Sequence, residues 1–117
     1  MEIVKTVLTD AIILKPRVFK DDRGYFYESF NERVFELLSG MNINFIQDNQ
    51  SSSSRGTLRG LHFQTGLAAQ AKLVRVIKGT VYDVAVDLRP DSPTFKQWYG
   101  VELSEENYLQ FFIPRGF

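Results

Sequence analysis

Residues 59–89 read RGLHFQTGLAAQAKLVRVIKGTVYDVAVDLR, and this stretch sets the terms for the rest of the chain. Two β-rich runs lie inside it, residues 72–78 and 80–88, joined through Gly79. Val, Ile, Leu and Tyr dominate both, the residue types that fit a pleated, half-buried surface. Charged residues stand where a plain core strand carries valine: Lys72, Arg75, Asp83 and Asp87. Upstream is the sole histidine, His62, between Leu61 and Phe63 and two residues after Gly60. An imidazole among apolar neighbours, with cations and carboxylates on adjacent strands, is in outline a proton-transfer arrangement. It is equally compatible with ordinary core structure.

Working outward, the flanks are also β-rich. Residues 3–8 and 11–19 read as strands, with Pro16 forcing an edge or a bend in the second. Asp21-Asp22-Arg23-Gly24 is a turn by composition, and Gly24 is free to take positive φ. Residues 25–30 (YFYESF) form an aromatic strand whose alternation puts Phe26, Glu28 and Phe30 on one face and Tyr25, Tyr27 and Ser29 on the other. One short helix is expected near residues 31–39, capped by Asn31, with Glu32 in its first turn and Ser39-Gly40 at its end. Residues 45–49 look like a further strand, and the serine run after them like a flexible loop. Turns at 89–94 and 104–107 separate strands at 96–103 and 109–113. Many short strands with one small helix indicate an all-β fold, an antiparallel sandwich or barrel in a single domain over 1–117. The last strand, bearing Phe111, Phe112 and Ile113, has nothing after it to pair with or cover it. It is expected to be an exposed edge that invites association.

Composition narrows the function classes. The chain has 117 residues, 44% of them hydrophobic, with 14 Lys+Arg against 14 Asp+Glu. That supports one modest core and gives no bulk electrostatic pull toward nucleic acid or an anionic membrane. The absence of cysteine removes disulfides and thiolate metal sites from consideration. A catalytic metal site commonly uses several histidines, and there is one, so no metal or cofactor is expected. With no apolar run of spanning length and no signal-peptide layout at the N-terminus, a cytoplasmic protein is the expectation.

Among candidate site residues, His62 has the right unperturbed chemistry for proton transfer near neutral pH. Arg59 and Lys72 are placed to stabilise a developing oxyanion such as an enolate. Strict alternation puts Arg59 and His62 on opposite faces, so both point inward only if Gly60 or Leu61 hosts a bulge. Gln47-Asp48-Asn49 is a polar triplet at a strand end, and Arg23 and Glu28 are unremarkable alone. Asp83 and Asp87 share a face with Val81 and Ala85, so each either pairs with a cation such as Lys72 or lies at a barrel mouth.

Taken together, the segments FKDDRGYFYESFN (19–31), FIQDNQSSS (45–53), LRGLHFQ (58–64), KLVRVIKGTVYDVAVDLRPDSPTF (72–95) and GVELSEENYLQFFIPRGF (100–117) resemble the dTDP-4-dehydrorhamnose 3,5-epimerases. These are metal-free nucleotide-sugar epimerases of the cupin superfamily. The resemblance implies a cupin-like β-jelly-roll barrel and a homodimer that exchanges N-terminal strands. It implies dTDP-4-dehydro-6-deoxyglucose as substrate, on the route to dTDP-L-rhamnose. It casts His62 as the base that removes the protons at C5 and C3, and Lys72 as the group that steadies the enolate. Arg23, Glu28, Gln47, Asn49 and Arg59 match substrate contacts, Arg23 and Glu28 reaching the neighbouring subunit's site.

The chain departs from the pattern at its end. Family members continue beyond the match to IPRGF with further barrel strands, which carry a tyrosine proton donor and an aspartate that orients the histidine. The expectation is therefore an N-terminal two-thirds of the domain, missing C-terminal strands, with impaired inversion. Gln50 is a second, milder departure. Competing readings are a non-catalytic nucleotide-sugar-binding or dimerisation module and a related dTDP-sugar epimerase or ketoisomerase.

Overall fold

In a computed structural model, which describes residues 1–117, the elements follow in the order β1 (Glu2–Lys5), β2 (Ile12–Lys15), β3 (Phe19–Asp21), β4 (Gly24–Phe26), α1 (Glu32–Ser39), β5 (Lys72–Arg75), β6 (Thr80–Val86), β7 (Trp98–Ser104) and β8 (Gln110–Ile113). A four-stranded sheet runs in the order β1-β2-β8-β5, and β3–β4 and β6–β7 form two antiparallel pairs. β8 is thus not the exposed edge expected from the sequence. It pairs with β2 through Ile12↔Phe112 and with β5 through Leu73↔Phe112, and Phe111 and Phe112 are both fully buried. A run that is apolar at consecutive positions marks a strand covered on both faces, and β8 is one. The sheet's edges are β1 and β5 instead.

Alternation sorts the sheet's side chains into two cores. Ile13, Phe111, Val74 and Ile113 face the β6–β7 ladder, where they meet Ala85, Leu103, Tyr99 and Val101. Ile12, Leu14, Phe112 and Leu73 face the other way, against Phe35 of α1 and the segment carrying Met41, Ile43 and Phe45. The result is three layers: helix, sheet and ladder. Residues 72–78 and 80–88 do not pair with each other, since β5 is taken by β8 and β6 runs alongside β7 from Thr80↔Ser104 to Val86↔Trp98.

The local signals that the sequence carries are obeyed. Asn31 accepts a hydrogen bond from the Val34 amide, and Gly40 closes α1 at φ 70°. Asp21 and Gly24 pair across the β3–β4 turn, with Gly24 at φ 135°. β2 ends at Lys15, before Pro16, which has no N–H to give a ladder. The aromatic strand is shorter than expected, but its alternation survives: Tyr25 and Tyr27 stack at 6.0 Å and both meet Tyr108 edge-on.

Two stretches that carry candidate site residues form no strand, the first of them against expectation. Residues 45–49 form no ladder, because Phe45 drops into an aromatic cluster with Phe30, Phe35 and Phe112 at 5.3–6.4 Å and Ile46 is left 89% exposed. Residues 58–64 form none either; Leu61 and Phe63 are exposed, and a single 3-10 turn, Gly66–Ala68, precedes β5.

The connection from β6 to β7 is held by a buried carboxylate. Asp87 accepts from Arg89 Nε and Nη2 at 3.0 and 2.9 Å, from the Ser92 hydroxyl, and from the Thr94 hydroxyl at 2.7 Å. Arg89 also reaches Asp10 and the Thr9 carbonyl, tying the β1–β2 loop to this turn, and lies 4.7 Å above the Phe117 ring. No helix is long and apolar enough to cross a membrane.

Candidate functional site

Lys72 opens β5 and shares its inward face with Val74, so its side chain lies on the ladder side of the sheet, half-buried. Asp83 lies on the inner face of β6 with Val81 and Ala85. Its Oδ2 is buried and has no hydrogen-bond partner. Burial pushes the Asp83 carboxyl up from the usual carboxylate range, against a hydrogen bond from the Val84 amide and the positive charge of Lys72. The two side chains face one another across the gap between sheet and ladder without closing an ion pair. The period-two alternation of side chains along KLVR and TVYDVAV places both there.

His62 and Arg59 lie on the exposed segment that leads into β5. A core-histidine role is therefore excluded for His62. Gly60 sits at φ 106°, and a Cβ there would meet His62 Nδ1 at 3.3 Å, so the glycine keeps the ring's near side open. Arg59 donates from Nε to the Ser53 hydroxyl at 2.9 Å and from Nη2 to the Ser52 carbonyl at 3.4 Å. No hydrogen bond joins His62 to Lys72, Asp83 or Arg59. Lys72 stands on the edge strand and His62 on the exposed segment that precedes it, and no hydrogen bond joins the two.

The remaining candidates lie off the ladder face that carries Lys72. Gln47 donates to the Asn49 side chain at 3.2 Å and lines a cleft of about 440 Å³ on the helix side of the sheet, with Phe45, Arg75 and Gln110 among its walls. Gln110 gives its Nε2 to the Ser29 carbonyl at 2.7 Å, while its Oε1 is buried without a partner. Arg23 pairs with Asp21 at 2.6 Å on the exposed β3–β4 turn, which holds the Asp21 carboxyl below its usual range. Glu28 accepts from Asn31 at 3.1 Å. Sequence reasoning singled out neither Gln110 nor the wall position of Arg75. A glutamine inside the apolar run QFFI was the available signal for the first.

The model of the dTDP-4-dehydrorhamnose 3,5-epimerase family matches residues 5–117. The dTDP-4-dehydrorhamnose 3,5-epimerase of Salmonella typhimurium is 56% identical over the whole chain, which spans 64% of that protein. The crystal structure of the enzyme of that name from Elizabethkingia anophelis superimposes with a TM-score of 0.94 at 60% identity, covering 99% of this chain and 63% of the other. A dTDP-6-deoxy-D-glucose-3,5-epimerase from Legionella pneumophila, solved in complex with dTDP-4-keto-L-rhamnose, gives 0.93 at 50% identity over 98% of this chain and 61% of that one. The chain thus spans a little under two thirds of the relatives it matches, and its fold is that of these epimerases.

Proposed function

The chain belongs to the dTDP-4-dehydrorhamnose 3,5-epimerase family, and we propose that it acts on dTDP-4-dehydro-6-deoxyglucose as a sugar-nucleotide 3,5-epimerase in dTDP-L-rhamnose synthesis. The observation that carries this reading is the family match over residues 5–117, which takes in every candidate site residue.

Protons at C3 and C5 are acidified by the C4 ketone. In the proposed reaction the neutral His62 imidazole takes one of them, and the C–H electron pair becomes the enolate double bond. Charge moves to O4, where the Lys72 ammonium stabilises it. Reprotonation from the opposite face inverts the centre, and return of the proton from His62 regenerates substrate. Arg59, Gln47 and Asn49 are assigned to the nucleotide sugar. Arg23 and Glu28, on and after an exposed hairpin, are assigned to the site of a second copy in a homodimer. That assembly is supported by β1 being a free sheet edge and by the exposure of Val4 and Phe26, 49% and 71%.

Deuterium entry at C3 and C5 tests the base and the enolate without needing the opposite-face donor. In D2O, NMR of the sugar nucleotide with this chain is expected to show exchange that disappears in His62→Ala. Binding without exchange would overturn the enzymatic reading in favour of a nucleotide-sugar-binding module.

A further inference from the structure

We propose that Asp83 is a positioning residue for Lys72: a buried carboxylate that holds the ammonium on the inner face of the sheet. The functional half of this rests on the epimerase reading above; the electrostatic half does not.

From β6 itself, Asp87 shares the face of Asp83, but Arg89 already neutralises that charge with two hydrogen bonds. β7 presents Tyr99, Val101 and Leu103, with Val101 directly across the ladder from Asp83. β8 presents Phe111 and Ile113, and β2 presents Ile13. β5 presents Val74 and Lys72. Lys72 is therefore the one cation that these elements turn toward Asp83 and leave uncommitted.

The Asp83 Oδ2 itself is orphaned. A buried acceptor without a partner loses its hydration with nothing in return, so such atoms are rare unless something uses them. A carboxylate among valine, alanine and phenylalanine is also a poor choice for packing alone. The lysine at the rim of the same apolar gap supplies the complementary charge. The gap between them is short of an ion pair, which leaves the ammonium free to move toward an anionic oxygen while the carboxylate limits where it can go.

The coupling is read first without substrate. The 13C carboxyl resonance of Asp83 is titrated in the unaltered chain, in Lys72→Met and in Lys72→Arg, with the amide spectrum of each confirming the fold. Asp83 is expected to titrate at higher pH in Lys72→Met and at the original pH in Lys72→Arg. An unchanged midpoint in Lys72→Met overturns the proposal. The second reading is deuterium exchange at C3 and C5. Asp83→Asn is expected to slow exchange about tenfold or more, in the range that supporting residues of a site contribute, with nucleotide-sugar affinity changed less than about threefold and with part of the rate recovered in Asp83→Glu. Equal loss in Asn and Glu variants, with affinity falling in step, would reduce Asp83 to a packing residue. Coupling without exchange in the unaltered chain sinks the epimerase reading and leaves the pairing intact; exchange without coupling does the reverse.

Discussion

Arg89 and Asp87 meet through two parallel hydrogen bonds, Nε to Oδ1 at 3.0 Å and Nη2 to Oδ2 at 2.9 Å, with the carboxylate wholly buried. A planar guanidinium suits this fork, and Ser92 and Thr94 satisfy the carboxylate's remaining lone pairs. Burial pushes Asp87 up, but the bonds from Arg89, Ser92 and Thr94 outweigh it and hold the carboxyl far below the usual range. Asp87→Asn removes the buried charge of the pair and leaves Arg89 only Asp10 at the surface, which is expected to cost about 3 kcal/mol in urea unfolding near pH 7. The sign with pH follows from the depressed folded value. The stabilisation is complete above the unfolded carboxylate's pKa, near 4, and drains away below it, so the gap between the two proteins should narrow on acidification.

Asp83 has the opposite sign. Its folded carboxyl titrates above the unfolded one, so the folded chain holds its proton longer and loses stability as pH rises through that window. Asp83→Asn carries no such loss. Unfolding measured from about pH 4 to 8 should show the variant gaining on the unaltered protein as pH rises, toward an advantage on the order of 1 kcal/mol. A constant difference across that range would mean that the carboxylate is not buried in solution.

Phe111 and Phe112 are adjacent, and each fills a different core. Replacing either with alanine should cost about 3–5 kcal/mol by chemical denaturation. Similar losses at both positions are the signature of an inner strand. On an edge strand with one solvated face, one of the two would be tolerated.

Asn31 caps α1 through a 3.2 Å bond from the Val34 amide. Asn31→Ala should lower stability by about 1 kcal/mol, while Asn31→Asp should be close to neutral. Thermal unfolding followed by circular dichroism separates these outcomes.

His62 is exposed and makes no hydrogen bond that folding depends on. His62→Ala is therefore expected to leave stability within about 0.5 kcal/mol while removing deuterium exchange. A large loss of stability would reassign the ring to structure.

What was legible in the sequence was local. The Asn31 cap, the Gly40 stop, the Gly24 turn and the period-two faces of β6 and β7 all follow from residues a few positions apart. The role of β8 was not, because its partners lie about 100 and 40 residues upstream and pairing at that distance leaves no mark in a short window. Residues 45–49 carry strand composition, yet Phe45 finds more burial against Phe35 and Phe112 than a ladder would give it. In the candidate site, Asp83 could be placed on an inward face by alternation. That its Oδ2 lacks a partner depends on which strands close over it.

The central place of β8 also bears on how the protein is made. β1 and β2 can pair as soon as both have left the ribosome, but β5 follows without a partner, and the sheet cannot close until Gln110–Ile113 arrives between β2 and β5. Until then the nascent chain carries one unpaired strand and one open hairpin edge, both with apolar residues. The chain's dependence on long-range closure makes the nascent form, more than the finished one, the state in which chaperones would find something to hold.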